Sequence, residues 1–389
     1  MKRAKARGFS FIELLTSIAI LSIVMGAVIG ALVQAQKATT AVSLMADMQQ
    51  NLRTGMHFMV RDLTQAGEGM PPAGVFIPLN AAGNSNLNRP GTNPATTFPT
   101  SFTVLPVISP GSQIGQHAKT VSVTTGAVLD GGLSTDIVNL VYADNTLVDS
   151  SANKKFLNAA PVKSAASPVC NGSIAASGTS ATLDANCFTM PGGPTPISTG
   201  NLILFTNGNG SALEYVTSVA GQTINFAAGD PAGLNALSAV TYPSGTVPAI
   251  SASTTATTIT RVWMVTYYID STTTPSRPQL TRQVNYPGYP AGAAANPAQP
   301  VADNIENLSF SYDIINSVAP AGTYALGAGD APTPLGGDSA SQIRAVNATL
   351  AARSEYPLMA GSAGAEYAHN NLSTQVAVRS LSFVNQFNH

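Results

Sequence analysis

The sequence predicts an α+β protein: one long N-terminal helix, apolar in its first half and amphipathic in its second, packed on an antiparallel β-sheet head with long loops. Three observations predict it. Leu14 to Val33 runs for about 20 residues without a charge, which at ~1.5 Å rise per residue spans a bilayer core of about 30 Å. Beyond it Val42, Met45, Leu52, Met56, Met59 and Leu63 recur at three- and four-residue steps, with Lys37, Asp47, Arg53 and Asp62 on the remaining positions. The second half of the chain then alternates apolar and polar residues in short runs, best developed in Ile259 to Ile269.

The first eight residues hold Lys2, Arg3, Lys5 and Arg7, a basic segment that stays cytoplasmic ahead of an exported apolar run. The run does not end in the small-x-small site of a discarded signal peptide, so the helix is expected to remain with the protein. Glu13 is out of place in an ordinary anchor. A carboxylate at the edge of an apolar helix costs a few kcal/mol unless it finds a partner, so its presence points to a function. Gly26 and Gly30 form a GxxxG in the same helix, which permits close helix contact but is also common composition for such segments.

The amphipathic stretch is expected to pack its apolar face on the head, which reads the methionine stripe as core rather than as a ligand surface. Gly67, Gly69, Pro71 and Pro72 stop it, giving one helix from Phe9 to about Ala66. Residues 71 to 130 are rich in Pro, Asn, Gly and Thr and read as loops with short strands. Asp136 to Tyr142, Leu202 to Thr206, Ala212 to Val219 and Gln222 to Phe226 are firmer strands, with a hairpin around Ala220 and Gly221. Gln279 to Val284 is the expected partner of Ile259 to Ile269. Val301 to Tyr312 reads as one strand, followed by Ile343 to Leu350 and Thr374 to Arg379. A second β subdomain inserted between residues 70 and 255 is compatible with this spacing.

Only 10% of the 389 residues are charged, a hydroxyl-rich, near-neutral surface of the kind secreted β-proteins carry. Without the first eight residues, 14 Lys and Arg face 19 Asp and Glu, a net charge of about −5, and no basic patch supports nucleic-acid binding. In an oxidising compartment Cys170 and Cys187 would close a short disulfide loop worth up to about 3 kcal/mol; otherwise they are two thiols that never meet. No catalytic or cofactor site emerges. His57, His117, His369 and His389 lack metal-ligand spacing, and Asp303, Asp313, Asp330 and Asp338 lack EF-hand spacing. Ser339 sits in a turn that departs from the serine-nucleophile pattern. Neither an enzyme nor a cofactor-binding protein is expected.

Gly8-Phe9-Ser10-Phe11-Ile12-Glu13-Leu14 resembles the class III signal of type IV prepilins and pseudopilins. The resemblance implies that a prepilin peptidase cuts between Gly8 and Phe9 and methylates the new Phe9 amine. It implies that Glu13, the fifth residue of the mature chain, attracts the terminal amine of a neighbouring subunit, so the two charges leave the bilayer together. Further along, three segments resemble the PilW-like minor pilins and, more distantly, the J-type minor pseudopilins of type II secretion. They are Tyr267-Tyr268-Ile269 with Leu280-Thr281-Arg282, then Ile305 to Tyr312, and Ile343 to Val346 with Val376 to Arg379. Arg61-Asp62-Leu63 followed by Ala66-Gly67 resembles the helix end of the same family, whereas residues 70 to 255 match nothing recognisable.

The implied fold is pilin-like, with a leader at 1–8, a transmembrane helix at 9–33, an amphipathic stalk at 34–66, a variable β region at 67–255 and a β head at 256–389. The implied partners are the prepilin peptidase, other minor and major pilins, and the assembly platform of the inner membrane. The chain would be single-pass with a periplasmic head before assembly and part of the pilus afterwards. The implied function is that of a minor pilin priming assembly at the pilus tip, the alternatives being a type II secretion pseudopilin or a tip adhesin.

Overall fold

The computed structural model describes residues 10–71, 74–80, 82–90, 97–98, 102–121, 128–144, 157–159, 172–175, 177–183, 197–208, 210–235, 257–272, 274–286, 298–314, 322–324, 340–357 and 367–382. Gly8, Phe9, Cys170, Cys187, Asp330, Asp338, Ser339 and His389 lie outside them.

The molecule is α+β. A single helix of 55 residues, Phe11–Gln65, is apolar and exposed over its first half, and it contains an 18-residue window of mean hydropathy 2.4 with no residue buried. That half is long and apolar enough to cross a membrane. The helix meets the head later than its sequence pattern predicts. Val42 and Met45 are 67% and 42% exposed, and burial begins at Met48, continuing through Leu52, Met56, Met59 and Leu63. The methionine stripe is core from there on. Asp62, expected on the polar side, is instead 1% exposed, because its carboxylate meets donors from distant strands.

The helix lies across two sheets. The first is antiparallel and eight-stranded around the 14-residue strand Thr257–Asp270. One edge of that strand pairs with Leu202–Asn207 along its first half and with Gln279–Val284 along its second, these being flanked in turn by Gly210–Tyr215 and Gln299–Asp303; Ile137–Ala143 takes the opposite edge. Ile108–Gly111 pairs with Ile137–Ala143. Strands from both sides of residue 255 therefore share this sheet. The second sheet is four-stranded in the order Gly322–Tyr324, Ile305–Ile314, Ile343–Arg353, His369–Ala377.

The run expected as one strand from Val301 to Tyr312 is two. Asn304 takes a φ of 58°, a left-handed conformation that Asn tolerates, and the turn there moves the chain from the first sheet to the second. Burial alternates strictly along Ile305–Ile314 from Glu306 onward, so one face of the second sheet joins the common core. Leu52, Met59, Val138, Tyr267, Leu280, Leu308, Val346 and Leu350 all belong to that single core. At Gly55 the helix comes close to both sheets: a Cβ there would fall 2.9 Å from Leu280 Cδ2, 3.2 Å from Ala302 Cβ and 3.3 Å from Leu350 Cδ1.

A smaller antiparallel sheet, Ser218–Ala220, Thr223–Asn225, Ser180–Leu183 and Gly172–Ile174, closes a second core on the first sheet. There Phe205 and Phe226 meet edge to face at 5.4 Å. The predicted hairpin is present, turning through Gly221 at a φ of 59°.

Candidate functional site

The two ends of the long helix hold the groups that chemistry singles out. At the N-terminal end Ser10 has extended backbone angles and caps the helix, and its amide donates to Glu13 Oε2 at 3.0 Å. This places the Glu13 carboxylate in the first turn, where the unpaired amides and the helix dipole favour a negative charge. Its neighbours Phe11, Ile12, Leu14 and Leu15 are apolar and exposed. The nearby hydroxyls turn inward, Thr16 Oγ1 donating to Ile12 O at 3.0 Å and Ser17 Oγ to Glu13 O at 2.6 Å. These two hydroxyls therefore need no water, and among the described residues of this end Glu13 is the charged group. An ionised carboxylate in that setting is a strong acceptor for an ammonium. At Gly26 and Gly30 an added Cβ would meet nothing within 4 Å, so neither glycine is explained by a contact within the described chain.

At the other end the structure assembles a site that the sequence pattern conceals. The Asp62 carboxylate accepts from Tyr267 Oη at 2.7 Å and Arg282 Nε at 2.6 Å on one oxygen, and from Tyr142 Oη at 3.5 Å on the other. Tyr267 and Arg282 are directly opposite in the register of neighbouring strands, as are Trp263 and Tyr142, so pleating puts all of these on one face of the sheet. The helix lays Asp62 onto that face. Burial, reinforced by the Asp62 charge, pushes the Tyr142 phenol up to about 12, and the same two causes raise Tyr267 further. Both phenols thus stay protonated and keep donating.

The helix end is stitched down beside this cluster. The Gly67 amide donates to Val141 O at 2.8 Å, Ala143 N to Glu68 O at 2.8 Å, and Ser380 Oγ to Ala66 O at 2.5 Å. Gly67 has a φ of 78°, and a Cβ on it would run into Ser380. With its lone pairs taken by fixed donors, Asp62 acts by position: it sets both the rotation and the height of the helix on the sheet.

Of the other residues singled out in the sequence, His57, His117 and His369 lie apart, and no three His, Cys, Asp or Glu among the described residues are arranged to hold a metal. His369 instead pairs with Glu306 at 2.9 Å.

No curated protein sequence matches the chain. Among solved structures, a type IV-like pilin from Thermus thermophilus is similar at 13% identity, over 47% of this chain and 86% of that one, with a TM-score of 0.18, a value below that of a shared fold. The informative match is at the N-terminus, where the family model of the prokaryotic N-terminal methylation motif covers residues 3–29. That stretch contains Gly8, Phe9 and Glu13 and runs into the exposed apolar helix. The N-terminal segment of the chain carries the prokaryotic N-terminal methylation motif.

Proposed function

We infer that the chain is a minor pilin, processed between Gly8 and Phe9 by a prepilin peptidase, methylated on Phe9, and drawn from the inner membrane into a pilus with other pilins. The observation that carries this reading is Glu13, a carboxylate held in the first turn of an exposed, bilayer-length helix inside a methylation motif. A buried ammonium from a second chain would offset its desolvation, so a growing base of subunits recruits the next one by charge neutralisation. The low charge density and the large, loop-rich head suit a low-copy tip subunit that primes assembly rather than a repeating subunit.

The test pairs two measurements. Mass spectrometry of the mature protein should find N-methylated Phe9 at its start, and Glu13→Leu should keep that processing while losing entry into filaments. An intact Met1 overturns the processing, and normal incorporation of Glu13→Leu overturns the charge-pairing role.

A further inference from the structure

The second sheet ends at His369–Ala377, a strand that pairs along its whole length with Ile343–Arg353 and, among the described residues, with no other strand. Its parity fixes which backbone groups look outward. The same register continues past both ends, where Ser354 N donates to Ala368 O and Val378 N to Arg344 O at 2.8 Å each, so the even-numbered residues of this strand bond inward. His369, Asn371, Ser373, Gln375 and Ala377 therefore turn their N–H and C=O groups to the open edge, and all five are exposed. They span about 27 Å at ~3.4 Å per residue.

An edge of this kind recruits other strands unless charge, proline or a bulge guards it. The longer edges of the first sheet are guarded. Along Gly210–Tyr215 the Asn235 amide takes both backbone groups of Tyr215, Gln299–Asp303 carries Pro300 and a register shift, and Ile108–Gly111 carries Pro110. On His369–Ala377 the register has no shift, and the sequence has no proline, carboxylate, lysine or arginine. His369, its one ionisable side chain, is held at the first position by Glu306. Ser373 Oγ and Gln375 Nε2 turn back over the sheet to Thr349 at 2.9 Å and Asp313 at 2.6 Å, so neither folds over the edge.

The direction of the strand selects its occupant. Its start lies opposite Arg353, which lines a cleft with Met48 and Asn51 of the long helix, and just after its end Ser380 bonds Ala66. The strand thus runs beside the helix, away from the apolar half. Two copies pairing antiparallel through it would point their apolar helices in opposite directions, which one membrane with both heads on the same side forbids. We propose that the open edge takes a strand from a different subunit anchored in the same membrane, antiparallel to His369–Ala377 and so running toward the apolar half. That strand is small and polar on the face beside Asn371, Ser373 and Gln375, and apolar on the face beside Leu372 and Val376, which pack on the core. This rests on the reading of the chain as one subunit of an assembly.

The test is hydrogen exchange, read residue by residue by fragmentation mass spectrometry, on the full chain in detergent micelles. The probe is a synthetic peptide of residues Ile343–Arg353, whose alternation already suits this strand. The Asn371, Ser373 and Gln375 amides should exchange fast in the chain alone and about tenfold more slowly at a peptide concentration about ten times its Kd. The same peptide N-methylated at Asn347, Thr349 and Ala351 should give no protection. Ser373→Pro, which removes an outward N–H, should keep the thermal midpoint of the parent and lose the protection. Slow exchange of the three amides in the chain alone, no protection by the unmethylated peptide, or equal protection by both peptides overturns the open edge. Dimers of the full chain that Ser373→Pro dissolves overturn the choice of a different subunit. Peptide pairing needs neither cleavage nor a filament, so these failures are distinct from those of the Phe9 and Glu13 measurements.

Discussion

Removing the Asp62 carboxylate tests whether the helix is keyed to the sheet by charge. In Asp62→Ala the Arg282 guanidinium, 13% exposed in its side chain, loses its counter-ion, and Tyr267 loses its acceptor. Truncating one member of a buried ion pair costs about 3–5 kcal/mol, and the partial exposure of Arg282 pulls this toward about 3 kcal/mol. Arg282→Met removes the stranded charge, so adding Asp62→Ala to that background should cost less, with a coupling of about 2 kcal/mol. The readout is urea unfolding of the full chain in micelles, followed by Trp263, the single tryptophan, which lies opposite Tyr142 in the sheet register. A loss below about 1 kcal/mol for Asp62→Ala, or an equal loss in the two backgrounds, would refute the reasoning.

Gly55→Leu should destabilise the head by about 1–3 kcal/mol in the same assay, because Leu280, Ala302 and Leu350 leave no room for a side chain. Gly67→Ala combines a left-handed backbone with a clash against Ser380 and should cost about 2 kcal/mol, read as a lower thermal midpoint. In alkali, Tyr142 keeps its proton to about 12 while the unfolded chain releases it near 10. Its contribution is complete below about pH 10 and drains away as pH rises through about 12, up to about 3 kcal/mol, so Tyr142→Phe should flatten the fall in unfolding free energy across that window.

The long helix and the strands of the second half were legible because each follows from local periodicity. The Gln279–Val284 strand agrees to the residue, and the helix stop at Gly67 agrees with the turn chemistry there. Two features were not legible, for different reasons. Asp62 occupies a position that local periodicity assigns to solvent, and its burial is set by residues 80, 205 and 220 positions away. A signal was nonetheless present: the segment ending in Arg282, the one containing Tyr267 and the one containing Asp62 each carried the family resemblance, and the fold brings all three to one point. The division of Val301 to Tyr312 into two strands depends on one Asn in a left-handed conformation, which no alternation of apolar residues encodes. Val42 and Met45 continue the apolar stripe past the edge of the head, so pattern alone overestimates how much helix the sheets cover. At the N-terminus, Glu13 stands out in the sequence because an acid beside an uncharged run of bilayer length is costly without a purpose.

The bonds at Asp62, Gly67 and Ser380 sit at the end of the helix farthest from its exposed apolar half, and they tie the helix both to the first sheet and to the short helix Arg379–Ser382. A tug on the anchor would load them in parallel, as shear, rather than peel them open one after another. A pull on the apolar half would then move the whole body as a rigid lever, and traction applied at the base would reach the far side of the domain without first unravelling it.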